Sequence, residues 1–246
     1  MVIEVHQTPI ADVLSRINKN SQNLFAEALS KILGNSYDQA HGHDVPGSWA
    51  GGSRAIHAFL QKYDIPDRNK YVMVDGSGLA RENRVTTRLI TEILHTMYNH
   101  PYGAEYRASL GVAGKDGTIG KRMDDLEGHV FAKTGYIGGV RSLSGYILTD
   151  DNRWLAFSII YNKIPGEVRP FEDIQDNACR LMVAYPHVKR AELREMQRPQ
   201  PTTRPSTARV EGQTGPRAGT TRPAPPAPPA HSATPMVETP ATMPTR

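Results

Sequence analysis

His129-Val130-Phe131-Ala132-Lys133-Thr134-Gly135, followed by the runs Val140 to Leu148 and Trp154 to Asn162, is the stretch whose reading decides the fold. The first run leans apolar and reads as a β-strand that ends at its glycine. The next two read as strands joined by Thr149-Asp150-Asp151-Asn152, a hairpin signal because Asn and Asp tolerate the tight turns that join neighbouring strands. A helix with Ile174, Ala178, Leu181, Met182 and Tyr185 on its apolar side comes after the strands. Helices first and an antiparallel run later predict an α/β sandwich of sheet and helices instead of a βαβ repeat.

Upstream of that stretch the apolar period is helical. Ile10, Val13, Leu14 and Ile17 share a face behind Pro9, a residue suited to a helix start. After Asn18-Lys19-Asn20-Ser21, a second periodic run holds Phe25, Ala28, Leu29 and Ile32, and Gly34 reads as its terminator. Asn35 to Gly52 reads as a loop, and a third helix follows with Ile56, Phe59, Leu60 and Tyr63. Tyr71-Val72-Met73-Val74 is a short strand candidate that feeds the turn Asp75-Gly76-Ser77-Gly78. Leu89, Ile90, Ile93, Leu94 and Met97 predict a long helix ending near Pro101, and glycine-rich loops from Gly111 to Gly120 lead to the strand of Lys133.

Composition divides the 246 residues in two. From Gln197 onward the chain holds 12 of its 19 prolines and no aromatic residue. Such a segment buries too little apolar surface to offset its ordering entropy, so residues 197–246 read as a disordered Pro/Thr/Ala-rich tail and residues 1–190 as the folded part. The whole net charge of +4 lies in the tail, which leaves residues 1–196 neutral and gives no electrostatic case for a nucleic-acid partner. Cys179 is the single cysteine, which excludes an intrachain disulfide and a cysteine-based metal cluster. No apolar run is long enough for a transmembrane segment, and Met1 to His6 show no basic stretch leading into an apolar region, so no signal peptide is visible.

Each chemical candidate has a plain alternative. Lys133-Thr134-Gly135 can present a fixed cation and a hydroxyl to a carboxylate, or it can be a strand-edge lysine before a turn. Ser21-Gln22-Asn23 sets a hydroxyl and a carboxamide at a helix junction, where serine and asparagine also serve as helix caps. Asp75-Gly76-Ser77-Gly78-Leu79-Ala80-Arg81-Glu82-Asn83-Arg84-Val85 lacks the Gly-x-Ser-x-Gly spacing of a nucleophile elbow and reads as a tight turn capping the next helix. His41-Gly42-His43-Asp44 pairs two histidines in a polar loop, with no third metal ligand in view.

Taken together, in their order and setting, these strings resemble the class C low-molecular-mass penicillin-binding proteins, the DacB-like D-alanyl-D-alanine carboxypeptidase/endopeptidase family. Asn20 to Leu29 with Leu33-Gly34 is similar to that family's segment around its Ser-x-Asn motif, and Asp75 to Val85 to its Asp-Gly-Ser-Gly-Leu-Ser-Arg-x-Asn signature. Val112-Ala113-Gly114-Lys115-Asp116-Gly117-Thr118 and Ala132 to Gly135 with Leu143-Ser144-Gly145-Tyr146 match two further stretches, so the likeness runs from about residue 8 to 185. It implies an α/β fold of the penicillin-binding-protein/serine β-lactamase type, an antiparallel sheet packed with helices, and here a partial domain.

The resemblance also implies roles. In such enzymes a serine attacks the carbonyl between two D-alanines of a peptidoglycan stem peptide and forms an acyl-enzyme that water releases. Ser21 would pass a proton toward the leaving amine, and Asn23 would bind the substrate's peptide carbonyl. Lys133 would supply positive potential and hold the hydrogen bonds of Ser21. Thr134 and Gly135 would line the substrate site, with Thr134 gripping the terminal carboxylate. The backbone N–H of Tyr136 would form half of an oxyanion hole. Stem peptides and β-lactams are the implied partners, with no metal and no cofactor, and the implied location is the periplasm or the cell surface.

Three departures qualify the likeness. No serine in the sequence has a lysine three positions on, so the family's Ser-x-x-Lys nucleophile is missing, and only twenty residues precede Ser21. Tyr136 stands where the family usually has Ser or Thr, and Ala80 where its signature usually has Ser. The expectation is therefore the C-terminal part of a catalytic domain, inactive by itself, whose nucleophile belongs to a missing N-terminus or to a separate N-terminal half. Its unpaired sheet should expose apolar surface on one side. The alternatives are a non-catalytic peptidoglycan-binding module derived from the fold and, less favoured, a hydrolase built on Ser77.

Overall fold

The computed structural model describes residues 7–185. The tail expected from Gln197, and Met1 to His6, lie outside the described residues. Three helices come first: α1 (Ile10–Asn18), α2 (Asn23–Ala40) and α3 (Trp49–Lys62). After a long loop come α4 (Thr87–Tyr98) and α5 (Gly103–Ser109). The strands are β1 (Gly111–Val112), β2 (Val130–Ile137), β3 (Val140–Leu148) and β4 (Trp154–Tyr161), with α6 (Arg169–Val183) last. The four strands form one antiparallel sheet in sequence order, with Lys133 opposite Ser144 and Ser144 opposite Ser158.

Helices cover the sheet on both faces. On one, Cys179 and Val183 of α6 pack with Val130, Ala132, Leu143, Ile147 and Phe157, all buried. On the other, Leu94 of α4 and Leu110 pack with Tyr146, whose hydroxyl donates to the Leu94 carbonyl at 2.7 Å. Alternation along each strand supplies one set of side chains to each core.

The β3 boundaries and the β3–β4 hairpin are those the sequence predicts, and Thr149 closes the hairpin by accepting from the N–H of Arg153 at 2.9 Å. Other expectations are corrected. β2 does not end at Gly135 but runs on to Ile137, and the chain turns at Gly138-Gly139. Gly34 does not terminate α2, which continues to Ala40. A Cβ on Gly34 would lie 2.5 Å from the Gly52 nitrogen, so this glycine permits backbone-to-backbone packing of α2 on α3. The loop expected over Asn35 to Gly52 shrinks accordingly, because α3 begins at Trp49 behind its Ser48 cap, which accepts from Gly51 at 3.0 Å.

Tyr71 to Val74 forms no strand beyond a bridge between Val72 and Arg84. The Asp75 turn does not cap α4; Thr86 does, accepting from Leu89 at 3.1 Å. No apolar face of the sheet is bare either, because α4 and α6 take both. The exposed large apolar side chains lie mainly on the helices and the long loop, among them Ile10, Leu24, Ile32, Val72 and Leu79. Among the described residues no helix is long and apolar enough to cross a membrane.

Candidate active site

Lys133 leaves the middle of β2 and reaches the junction between α1 and α2. Its Nζ donates to Ser21 Oγ at 2.8 Å and to the Thr134 carbonyl at 2.7 Å. Burial pushes the Lys133 ammonium below the usual lysine range. Ser21 is held with φ of +54°, a left-handed conformation that costs a non-glycine residue on the order of 1–3 kcal/mol unless its surroundings enforce it. Helix capping does not account for it. The N-cap of α2 is Gln22, without a side-chain hydrogen bond, and the Ser21 hydroxyl meets Lys133 across 112 residues of sequence.

These residues line a groove of about 620 Å³ together with Asn23, Thr134, Gly135 and Tyr136. All six residues singled out from the sequence therefore meet in one place. Asn23 opens α2 and is exposed at the groove. Gly135 lies against the Ser142 hydroxyl of β3, with no room for a Cβ. The edge of β2 is open here. The N–H of Ala113 donates to the Val130 carbonyl at 3.0 Å, so the backbone of Val130 faces β1. Alternation points Thr134 and Tyr136 to the same edge, beyond the first residue of β1, Gly111, which pairs with Ala132. Their backbone groups thus face the groove, as an added extended peptide requires. The Tyr136 ring rests on Arg141, whose guanidinium carbon is 3.4 Å from the ring centroid and which itself pairs with Glu172 at 3.2 Å.

Gly76, Ser77 and Gly78 also line the groove, and their turn is anchored by two carboxylates. Glu27 of α2 accepts from Trp49 Nε1 at 2.6 Å and from the N–H groups of Gly76 (3.1 Å) and Ser77 (3.0 Å). Burial pushes the Glu27 carboxyl up, but hydrogen bonds from Ser77, Gly76 and Trp49 together outweigh it and leave the group more acidic than usual. Asp75 accepts from Gly78 (2.8 Å), Ala80 (2.7 Å) and Asn83 (2.8 Å), and these bonds likewise override burial and lower its pKa. Ala80 takes part through its backbone N–H, so this anchor does not depend on the side chain at position 80. Ser77 turns its hydroxyl toward Asp75 at 3.3 Å, and among the described residues no histidine lines the groove beside it. His41 bonds to the Tyr37 carbonyl, and no group of potential metal ligands is found among the described residues.

Glu27 and Thr118 join the groove through tertiary contacts. Glu27 lies within the quoted Ser-x-Asn segment, but only the fold shows that it holds a turn fifty residues away. The Thr118 hydroxyl bonds to that of Thr134 at 2.7 Å.

A groove between the open edge of an antiparallel sheet and a helix pair, with a strand lysine bonded to a serine of the helical wall, defines the penicillin-binding and serine β-lactamase class of fold. The chain belongs to the D-Ala-D-Ala carboxypeptidase 3 (S13) family, whose model matches residues 1–181. It is 35% identical over 164 residues to the D-alanyl-D-alanine carboxypeptidase of Actinomadura sp. (strain R39), a match covering 64% of this chain and 29% of that protein. Among solved structures it is similar to penicillin binding protein 4 (dacB) of Haemophilus influenzae in complex with a β-lactam. The TM-score is 0.64 at 27% identity, over 72% of this chain and 42% of the other. The TLA-3 extended-spectrum β-lactamase shares the fold, with a TM-score of 0.51 at 14% identity over 72% of this chain and 64% of that one. The chain spans about a third of the length of the curated relatives it matches.

Proposed function

We propose that this chain supplies the lysine-strand wall and the serine–asparagine wall of a serine-type D-Ala-D-Ala carboxypeptidase/endopeptidase acting on peptidoglycan stem peptides in the periplasm or at the cell surface. The observation that carries this reading is the 2.8 Å bond from Lys133 Nζ to Ser21 Oγ at the head of a groove edged by β2. An extended stem peptide would lie along Thr134 to Tyr136, with Asn23 at its carbonyl and Thr134 at its terminal carboxylate. Lys133 would hold the Ser21 hydroxyl oriented, and the lowered pKa of its ammonium eases a proton shift between the two groups. Ser21 could then hand a proton to the departing D-alanine amine. The Tyr136 N–H would face the carbonyl oxygen as negative charge builds there.

The attack itself needs a serine with a lysine three residues on, and the 246 residues contain no such pair. The sequence given would therefore bind without acylating, and a polypeptide carrying Ser-x-x-Lys would complete the site. D-Alanine release from a stem pentapeptide, measured alongside binding of that peptide, tests this. Binding by the chain without release, lost in Lys133→Ala, is the expected outcome. Release at an enzymatic rate by the chain alone overturns the proposal. Binding that adding a Ser-x-x-Lys partner never converts into release favours the non-catalytic module.

A further inference from the structure

Asp116-Gly117-Thr118 is a motif without a role so far, and the structure gives each residue one. Asp116 clamps two elements at once: its carboxylate pairs with Lys19 Nζ at 2.6 Å and accepts from the Val112 N–H at 2.9 Å. Lys19 stands two residues before Ser21, so this pair ties the 116–118 turn to the junction that presents the serine. Gly117 has φ of +69°, and a Cβ there would lie 2.8 Å from the Gly111 Cα and 3.3 Å from the Lys19 Cα, so only glycine lets the turn close. Ile119, fully buried in the sheet core, fixes the other side. Between these anchors Thr118 stands exposed at the groove, and its hydroxyl meets Thr134 instead of capping its own turn.

We infer that Thr118 is a second substrate-carboxylate donor, paired with Thr134 as a two-hydroxyl clamp. The inference rests on the cleft reading above and extends it to a residue outside the strand. A threonine hydroxyl has one hydrogen to donate. In the structure Thr134 directs its hydrogen to Thr118. When a carboxylate enters, both hydroxyls turn outward and each donates to one of its oxygens, while Lys133 supplies positive potential nearby. The Tyr136 ring is engaged with Arg141, and the hydroxyls brought together at the groove are those of Thr134 and of Thr118 in the 116–118 turn. Thr118 fixes the end of the peptide and takes no part in bond making.

The test compares acetyl-D-alanyl-D-alanine with its C-terminal amide, binding being followed by chemical-shift titration of the full chain. The wild type should prefer the acid. Thr118→Val, near-isosteric, should bind the acid roughly tenfold or more weakly, the loss expected for one hydrogen bond to a charged group, with amide binding unchanged. Thr118→Ser should restore the preference, and an unchanged amide spectrum outside the groove shows that the variants are folded. If Thr118→Val disturbs that spectrum, Thr118→Ala serves in its place. An acid preference that survives loss of the hydroxyl overturns the clamp alone. A wild type that makes no distinction between acid and amide overturns both the clamp and the cleft reading.

Discussion

The two walls of the groove are built on different principles. The sheet wall is a sandwich: Val130, Ala132, Leu143 and Ile147 are fully buried between β-strands and α6, and Tyr146 is closed in by α4 on the other face. The helical wall buries Ser30, Gly34 and Asp38 on α2, while Leu24 (78% exposed) and Ile32 (60% exposed) face outward, and α1 has no buried residue. Close helix approach and polar contacts hold α2 to α3, including the two bonds from Arg54 to Asp38 at 2.7 and 3.2 Å. Lys133 comes from the wall with the apolar core and Ser21 from the other. The site therefore joins a half packed through an apolar core to one that is held by fit and by a few polar anchors.

The contrast can be broken at its strong point first. Leu143→Ala should destabilise the chain by about 2–5 kcal/mol, as large-to-small changes at fully buried sites do, and thermal unfolding will show it. On the helical side, Gly34→Val should cost about 1–3 kcal/mol by overpacking the α2–α3 crossing, with the loss of stability read from urea unfolding. The Lys133–Ser21 bond should weaken along with it, because α2 carries the junction.

A smaller effect concerns Lys133 itself. Its ammonium should titrate below the ordinary lysine range, which a nitrogen-15 NMR titration of the side chain will read. Between the folded and the unfolded pKa the unfolded chain binds more protons at this site, so stability from this group should rise with pH through that window and be lower beneath it. Lys133→Met should remove that pH dependence. Smallest of all, Leu24→Ala and Ile32→Ala should change stability by no more than about 0.5 kcal/mol, since neither side chain is buried, and equilibrium unfolding of the two variants checks it.

How much of this was legible in the sequence follows the same division. Strand alternation and the Thr149 to Asn152 turn are local signals, and they located β3 and the hairpin. Gly34 is ambiguous in the sequence because the local mark of a helix end is also the mark of a close crossing; only α3 tells the two apart. α5 went unforeseen because seven residues beginning at a glycine give too little periodicity. Lys133, Ser21 and Asn23 were found through the resemblance, since nothing local pairs a strand lysine with a loop serine 112 residues away. Thr118 and Glu27 stood inside quoted motifs, but their partners are set by tertiary contact and carry no sequence signal of their own.

The central claim is that this chain presents a binding and electrostatic half-site without the nucleophile. Incubation of the chain with a fluorescent penicillin, followed by denaturing separation, tests it most directly. No fluorescence should travel with the polypeptide, although the same penicillin at high concentration should displace a bound D-Ala-D-Ala peptide. A stoichiometric covalent adduct on this chain alone would contradict the account.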